Sequence, residues 1–248
     1  MGRRWIIKSI FKIHPFYYFS ALICFLTGYF KPFILISLII IVHEFGHVFM
    51  ALYFGWKIEK VLILPFGGNV IFNEDINRPL KEEFLILLFG PLFQILFTFF
   101  MNNNDIFNYS KALLFFNLLP VYPLDGSKIF NVILNKFLSF KYSLLLTLYV
   151  SFLSIVFLLF KMNLNLIFVL SLVFLFIRVL DEYKMLSNTF NRFLLERYTK
   201  KFKFKRYKYI ASMNINKMMR DYRHIFFNGG YITEREVLKK RFDFKGKK

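Results

Sequence analysis

The stretch Phe33–Phe54 reads FILISLIIIVHEFGHVFMALYF, ten residues apolar but for Ser37, then His43-Glu44-Phe45-Gly46-His47, then seven mostly apolar residues. A helix of ~20 apolar residues crosses a bilayer, so this run is long enough to span one. Ionisable groups at that depth are costly and mark a functional site. Two histidines four apart share one helix face, where both can reach one metal ion. Glu44 projects beside them and can take a proton from water on that metal.

The rest of the chain agrees with a membrane setting. Of 248 residues, 57% are hydrophobic and 21% aromatic, and the mean hydropathy is +0.48. That excess excludes an ordinary soluble domain. A single cysteine, Cys24, excludes an internal disulfide. Apolar runs at Phe16–Phe30, Phe33–Phe54, Phe84–Met101, Ile106–Leu119, Tyr142–Phe160 and Leu164–Leu180 are candidate spans. The first and fourth are short, and the fourth also reads as a re-entrant helix. The predicted fold is an all-α polytopic membrane protein. It has about six transmembrane helices, a small membrane-associated β-hairpin and a short basic cytoplasmic tail. Residues 1–180 form the transmembrane domain and 181–248 the tail.

Lysine and arginine set the orientation. Arg3, Arg4, Lys8 and Lys12 precede the first run; Lys57, Lys60, Arg78 and Lys81 follow the second; Lys128, Lys136 and Lys141 follow the fourth. The opposite loops hold only Lys31, Lys161 and the Asn102–Asp105 turn. A multi-pass cell-membrane protein with both termini cytoplasmic satisfies this bias. The first run lacks a small-residue cleavage site and reads as an uncleaved anchor. The net charge of +19 is concentrated in the tail, where 19 basic residues face 7 acidic ones after Leu180. Anionic lipid at the adjacent membrane surface suits such a tail, and nucleic acid is not expected.

Two histidines leave a catalytic zinc short of ligands. His14 and His224 lie in basic segments and are expected at the surface. The best further candidate is Asp125, in Asn117-Leu-Leu-Pro-Val-Tyr-Pro-Leu-Asp125-Gly126. Pro120 and Pro123 break the helix before it, and Gly126 permits a tight turn. Irregular backbone at membrane depth must be buried in protein or line a wet cavity. An ordinary Asp-Gly turn at the membrane surface fits this stretch, taken alone, equally well.

HEFGH together with NLLPVYPLDG on separate apolar runs resembles the site-2-protease family of intramembrane zinc metalloproteases. Leu64-Pro-Phe-Gly-Gly-Asn69 and Gly90-Pro91-Leu-Phe-Gln94 are similar to further family segments, in the same order across roughly residues 1–180. The resemblance implies Zn2+ held by His43, His47 and Asp125, with Glu44 as general base. The Leu64–Leu85 stretch is most similar to the sporulation branch, whose members release pro-sigma-K. It therefore implies a membrane-associated protein substrate, inhibitory membrane-protein regulators, and the mother-cell-derived membrane around the forespore. Other family members cut substrates such as anti-sigma factors. A metal transporter would need ligands along a pathway, and the runs hold no histidine or acidic residue beyond this set. A catalytically dead scaffold would not need the intact His43, Glu44, His47 and Asp125.

Asn117 is a candidate oxyanion donor or, equally, an interhelical hydrogen-bonding residue. Two β-prone runs flank Pro65 and Gly67-Gly68, predicting a hairpin whose edge could pair with an extended substrate. Gly67, Gly68 and Asn69 are the candidate substrate-contacting residues. Gly90-Pro91 should kink the third run. Gln94, near a position where many family members carry Asn, reads as packing. In the tail, sporulation-type relatives carry a CBS domain. The part beyond a helical, basic linker is too short for a full CBS core, so at most a remnant is expected. No Gly-rich phosphate loop is present.

Overall fold

The computed structural model describes residues 11–13, 15–64, 67–161, 166–204 and 206–243. Arg3, Arg4, Lys8, His14, Pro65 and the start of the sixth expected span at Leu164 lie outside the described residues. The chain divides into two compact units. One comprises Met1–Glu74 and Glu82–Leu118, the other Asp75–Lys81 and Leu119–Lys248.

The first unit runs β1 (Phe11–Ile13), α1 (Pro15–Leu26), α2 (Phe30–Tyr53), β2 (Ile58–Leu64), β3 (Gly67–Phe72), α3 (Leu80–Met101) and α4 (Asn104–Asn117). The expected hairpin is β2 and β3, antiparallel with Ile63 opposite Gly68 and Leu62 opposite Asn69. A third strand not legible in the sequence, β1, adds in parallel to β2. The order β1-β2-β3 leaves β3 at an edge of the sheet. Helix α2 carries the whole histidine motif and stops at a glycine. Gly55 has φ +68, and Trp56 N–H reaches back to the Ala51 carbonyl at 2.8 Å. That left-handed stop satisfies carbonyls the helix end would otherwise orphan. Trp56 then packs with Met50, Ala51 and Ile86, while its indole N–H donates to Glu82 at 2.8 Å. This fixes the end of α2 against the start of α3. Asn103 caps α4, accepting from the Asp105 and Ile106 amides at 2.9 and 3.1 Å.

Among the described residues, three helices are long and apolar enough to cross a membrane: Phe30–Tyr53, Leu80–Met101 and Phe140–Phe160. The other three expected spans differ. The first is a 12-residue helix, Pro15–Leu26, and the fourth a 14-residue helix, Asn104–Asn117. At 1.5 Å per residue these reach only ~18 and ~21 Å. The sixth belongs to a 34-residue helix that continues without a break to Thr199. Length and apolar composition together therefore support three of the six expected spans among the described residues. Helix α3 also continues through Gly90 and Pro91.

The second unit runs α5 (Asp125–Phe137), α6 (Phe140–Lys161), α7 (Leu166–Thr199), β4 (Arg206–Ile210), β5 (Tyr222–Phe227), β6 (Tyr231–Thr233) and α8 (Glu234–Asp243). Strands β4, β5 and β6 form a second sheet, parallel then antiparallel. The basic tail is thus folded. Phe140, Phe190, Phe193, Leu194, Ile210, Met218, Phe226, Val237 and Leu238 form one buried core, with the Phe140 and Phe193 rings stacked at 4.5 Å.

His224, expected at the surface, is 1% exposed. Alternation along β5 turns His224 and Phe226 inward. The imidazole then meets a partner that its own basic segment does not reveal. Glu234 accepts from the His224 backbone amide at 2.9 Å and lies 3.0 Å from its Nδ1. The fully buried Arg197 guanidinium sits 3.1 Å from the same carboxylate. Burial pushes the His224 pKa down. Burial alone would raise Glu234, but the His224 hydrogen bond and the Arg197 charge outweigh it and hold the carboxyl low. Arg197 also donates to Asn77 at 2.7 Å and to the Met219 carbonyl at 2.7 Å. Asn77 donates to the Phe193 carbonyl at 3.1 Å and to Glu196 at 3.0 Å. The segment Asp75–Lys81, which joins β3 to α3, is therefore bound into the tail's polar core.

Candidate metal centre

His43 and His47 point the same way from α2 and are 1% and 4% exposed. Their Nε2 atoms are 3.2 Å apart. Two nitrogens each ~2.05 Å from a tetrahedral zinc would be ~3.3 Å apart, so the spacing fits one ion. Each Nδ1 is engaged elsewhere: His43 with Gln94 Oε1 at 2.8 Å, His47 with the Ile86 carbonyl at 2.8 Å. Such outer contacts orient imidazole ligands and raise their basicity.

Glycines let the neighbours approach. A Cβ at Gly90 would collide with the His47 ring, and one at Gly46 with the Phe89 carbonyl. A Cβ at Gly68 would overlap the Glu44 carboxyl group, whose Oε1 would be 2.6 Å away. Strand β3 therefore lies directly against the glutamate. Asn117 is buried at the end of α4. Its Oδ1 is 3.6 Å from where a Gly67 Cβ would stand. Asn69 is the next residue on β3.

Asp125 is the first residue of α5 and is buried. Gly126, which permits a tight turn, is already helical, and the irregular stretch that brings in Asp125 ends at Leu124. The Tyr122 amide donates to Ser151 at 3.0 Å, tying this stretch to α6. Lys128, one turn on, lies 3.5 Å from the Asp125 carboxylate. An acidic group in a first turn is favoured by the helix dipole. One ligand atom from each of His43, His47 and Asp125 lies within 4.8 Å of the others. Two imidazoles and a carboxylate are a donor set that suits catalytic zinc.

A helix long enough to span a bilayer, bearing two of these three donors beside a glutamate, defines a membrane metallohydrolase. The chain belongs to Peptidase family M50, the site-2 proteases, whose profile matches residues 32–102. It is similar to Stage IV sporulation protein FB of Bacillus subtilis, 37% identical over 202 residues, spanning 75% of this chain and 70% of that protein. It is also 35% identical over 119 residues to a zinc metalloprotease of Methanocaldococcus jannaschii, covering 42% of this chain and 34% of that one. The solved site-2 protease from Methanocaldococcus jannaschii shares the fold, with TM-score 0.53 and 24% identity, over 70% of this chain and 91% of that one. The protein is a membrane zinc metalloprotease.

The sequence singled out His43, Glu44, His47 and Asp125, but not their supports. In the sequence Gln94 reads as packing, and nothing local to Gly46 or Gly90 marks them as making room for neighbouring groups. A glutamine inside an apolar span was the one available signal.

Proposed function

We propose that this protein is an intramembrane zinc endopeptidase that cuts a membrane-associated protein near the cytoplasmic face. His43, His47 and Asp125 would hold the zinc, which when bound would supply Lewis acidity to activate water and polarise the scissile carbonyl. Glu44 accepts the proton of the attacking water and passes it to the leaving amine. Asn117 donates to the oxyanion of the tetrahedral intermediate.

The observation that carries this reading is the meeting of Gly68 with Glu44. A helical substrate shields its peptide bonds, so the scissile segment must be extended before attack. An edge strand at the general base suits that need, with Gly67, Gly68 and Asn69 offering backbone close to Glu44. The chain crosses the membrane about six times with both termini cytoplasmic, a reading supported by the lysine and arginine bias. Residues 1–180 hold the protease and 181–248 the basic cytoplasmic module. Anionic lipid suits the charge of that module.

The substrate we infer is pro-sigma-K. The reading rests on the likeness to a stage IV sporulation protein and on the sporulation-type Leu64–Leu85 stretch. Inhibitory membrane-protein regulators follow from the same likeness. Co-expression with pro-sigma-K tests it: wild type should shorten the substrate and Glu44→Gln should not. An intact substrate beside active wild-type protease would redirect the search to other membrane-associated proteins, anti-sigma factors first.

A further inference from the structure

We infer that Gln94 is a positioning residue that fixes which nitrogen of His43 faces the metal. The inference rests on the reading of His43 as a zinc ligand.

The two histidines are oriented by different means. The partner of His47 Nδ1 is the Ile86 backbone carbonyl. A carbonyl only accepts, so Nδ1 must carry the proton and Nε2 presents its lone pair. The partner of His43 Nδ1 is a side-chain amide. An amide turned one way accepts from an imidazole, and turned the other way donates to it. In the second case the proton would sit on Nε2 and the metal would lose that ligand.

What decides the amide's orientation is Ser110, on α4. Gln94 is 0% exposed. Its Nε2 donates to the Ser110 carbonyl at 2.9 Å and to Ser110 Oγ at 3.1 Å. Reversing the amide would set its oxygen against the Ser110 carbonyl, acceptor against acceptor. A buried polar atom left unpaired is costly. Oε1 is therefore kept toward His43, which donates from Nδ1.

The rest of the network closes without a loose end. Thr98 Oγ1 lies 2.8 Å from the Gln94 carbonyl and 2.6 Å from Ser110 Oγ. With the Thr98 hydrogen on the carbonyl, the Ser110 hydrogen goes to Thr98 and Ser110 Oγ accepts from Gln94. Every hydrogen then has one acceptor. Such networks are strongest when fully satisfied. Three helices of the first unit thus set one proton: α4 holds the amide, α3 carries it, and α2 receives its effect. Gln94 touches no reacting atom in this scheme and works only through His43.

The test is zinc affinity of the purified full-length chain, by competition with a chromophoric chelator, for wild type, Gln94→Leu and Gln94→Glu. Leucine keeps bulk and removes the acceptor; glutamate keeps an acceptor for Nδ1 and removes the amide donors. Loss of an outer-shell partner of this kind weakens zinc by roughly 10–100-fold. The expected result is that loss in Gln94→Leu, with Gln94→Glu within a few-fold of wild type. A merely structural role would show as lower thermal stability of the zinc-free protein without a selective loss of zinc. If both variants hold zinc like wild type, or both lose it equally, the inference is overturned. Should wild type itself bind no zinc, the proposed metal site fails instead, which keeps the two failures apart.

Discussion

Replacing Gly90 by alanine should strip the protein of zinc although residue 90 is no ligand. The added Cβ would lie 2.8 Å from His47 Cδ2 and nearer still to Cε1 and Nε2. Non-bonded carbons rest at about 3.5–4.0 Å, so the ring must retreat by roughly 1 Å or the helices must part. The ring cannot yield cheaply. Its Nδ1 is bonded to the Ile86 carbonyl, on the same helix as Gly90 and one turn earlier. Metal–ligand distances tolerate about ±0.2 Å, several times less than that retreat. Overpacking should itself cost about 1–3 kcal/mol. The expected result is at least a ~10-fold loss of zinc affinity, the low end of what losing an orienting contact costs, with cleavage falling in step. Chelator competition on the purified chain measures it. Gly230→Ala is the control, because a Cβ there meets nothing within 4 Å. Wild-type affinity in Gly90→Ala would refute the reasoning.

Gly68→Ala should do the reverse, sparing zinc while displacing the Glu44 carboxyl group. A misplacement of about 1 Å costs on the order of 100-fold in turnover, and wild-type cleavage by this variant would count against strand β3 lying at the general base. Arg197→Met should leave Glu234 buried without its charge partner, costing about 3–5 kcal/mol. Hydrogen exchange should then quicken across β5, α8 and the Asp75–Lys81 segment together; exchange confined to α7 would argue against the shared network. Acidification should loosen the same module. The His224 pKa is held below its usual 6.5 and that of Glu234 below its usual 4.5. Stability from the neutral histidine is present above ~6.5 and lost as pH falls toward its lower folded value; that from the carboxylate is lost further down. Exchange corrected for intrinsic rates should accelerate in β5 and α8 between about pH 7 and 4; unchanged protection would contradict the assigned shifts.

The residue types of the candidate site were legible because chemistry restricts them. Few side chains bind zinc, and ionisable groups inside an apolar run stand out. Asp125 was legible as a residue but not in conformation, since Asp-Gly serves a turn or a first helical turn equally well. The supports were hidden because their roles are relational. Nothing local to Gly90 says that an imidazole will press on it, and nothing local to Gln94 says which way its amide will face. Strand β1, at three residues, is too short for alternation to reveal. The tail misled through its charge: 19 basic residues masked an inward-facing minority, His224, Phe226, Val237 and Leu238, that forms a core. Its buried pair joins Arg197 on α7 to Glu234 on α8, residues that no periodicity links. Span count was the least legible quantity, because helix ends at Leu26 and Asn117 fall short of apolar runs that continue past them.

Metal analysis of the purified chain tests most directly whether this is a zinc protease built on His43, His47 and Asp125. Wild type and Glu44→Gln should each carry about one zinc per chain, and the double variant His43→Ala, Asp125→Asn close to none. Zinc-free wild type, or undiminished zinc in the double variant, would contradict the assignment.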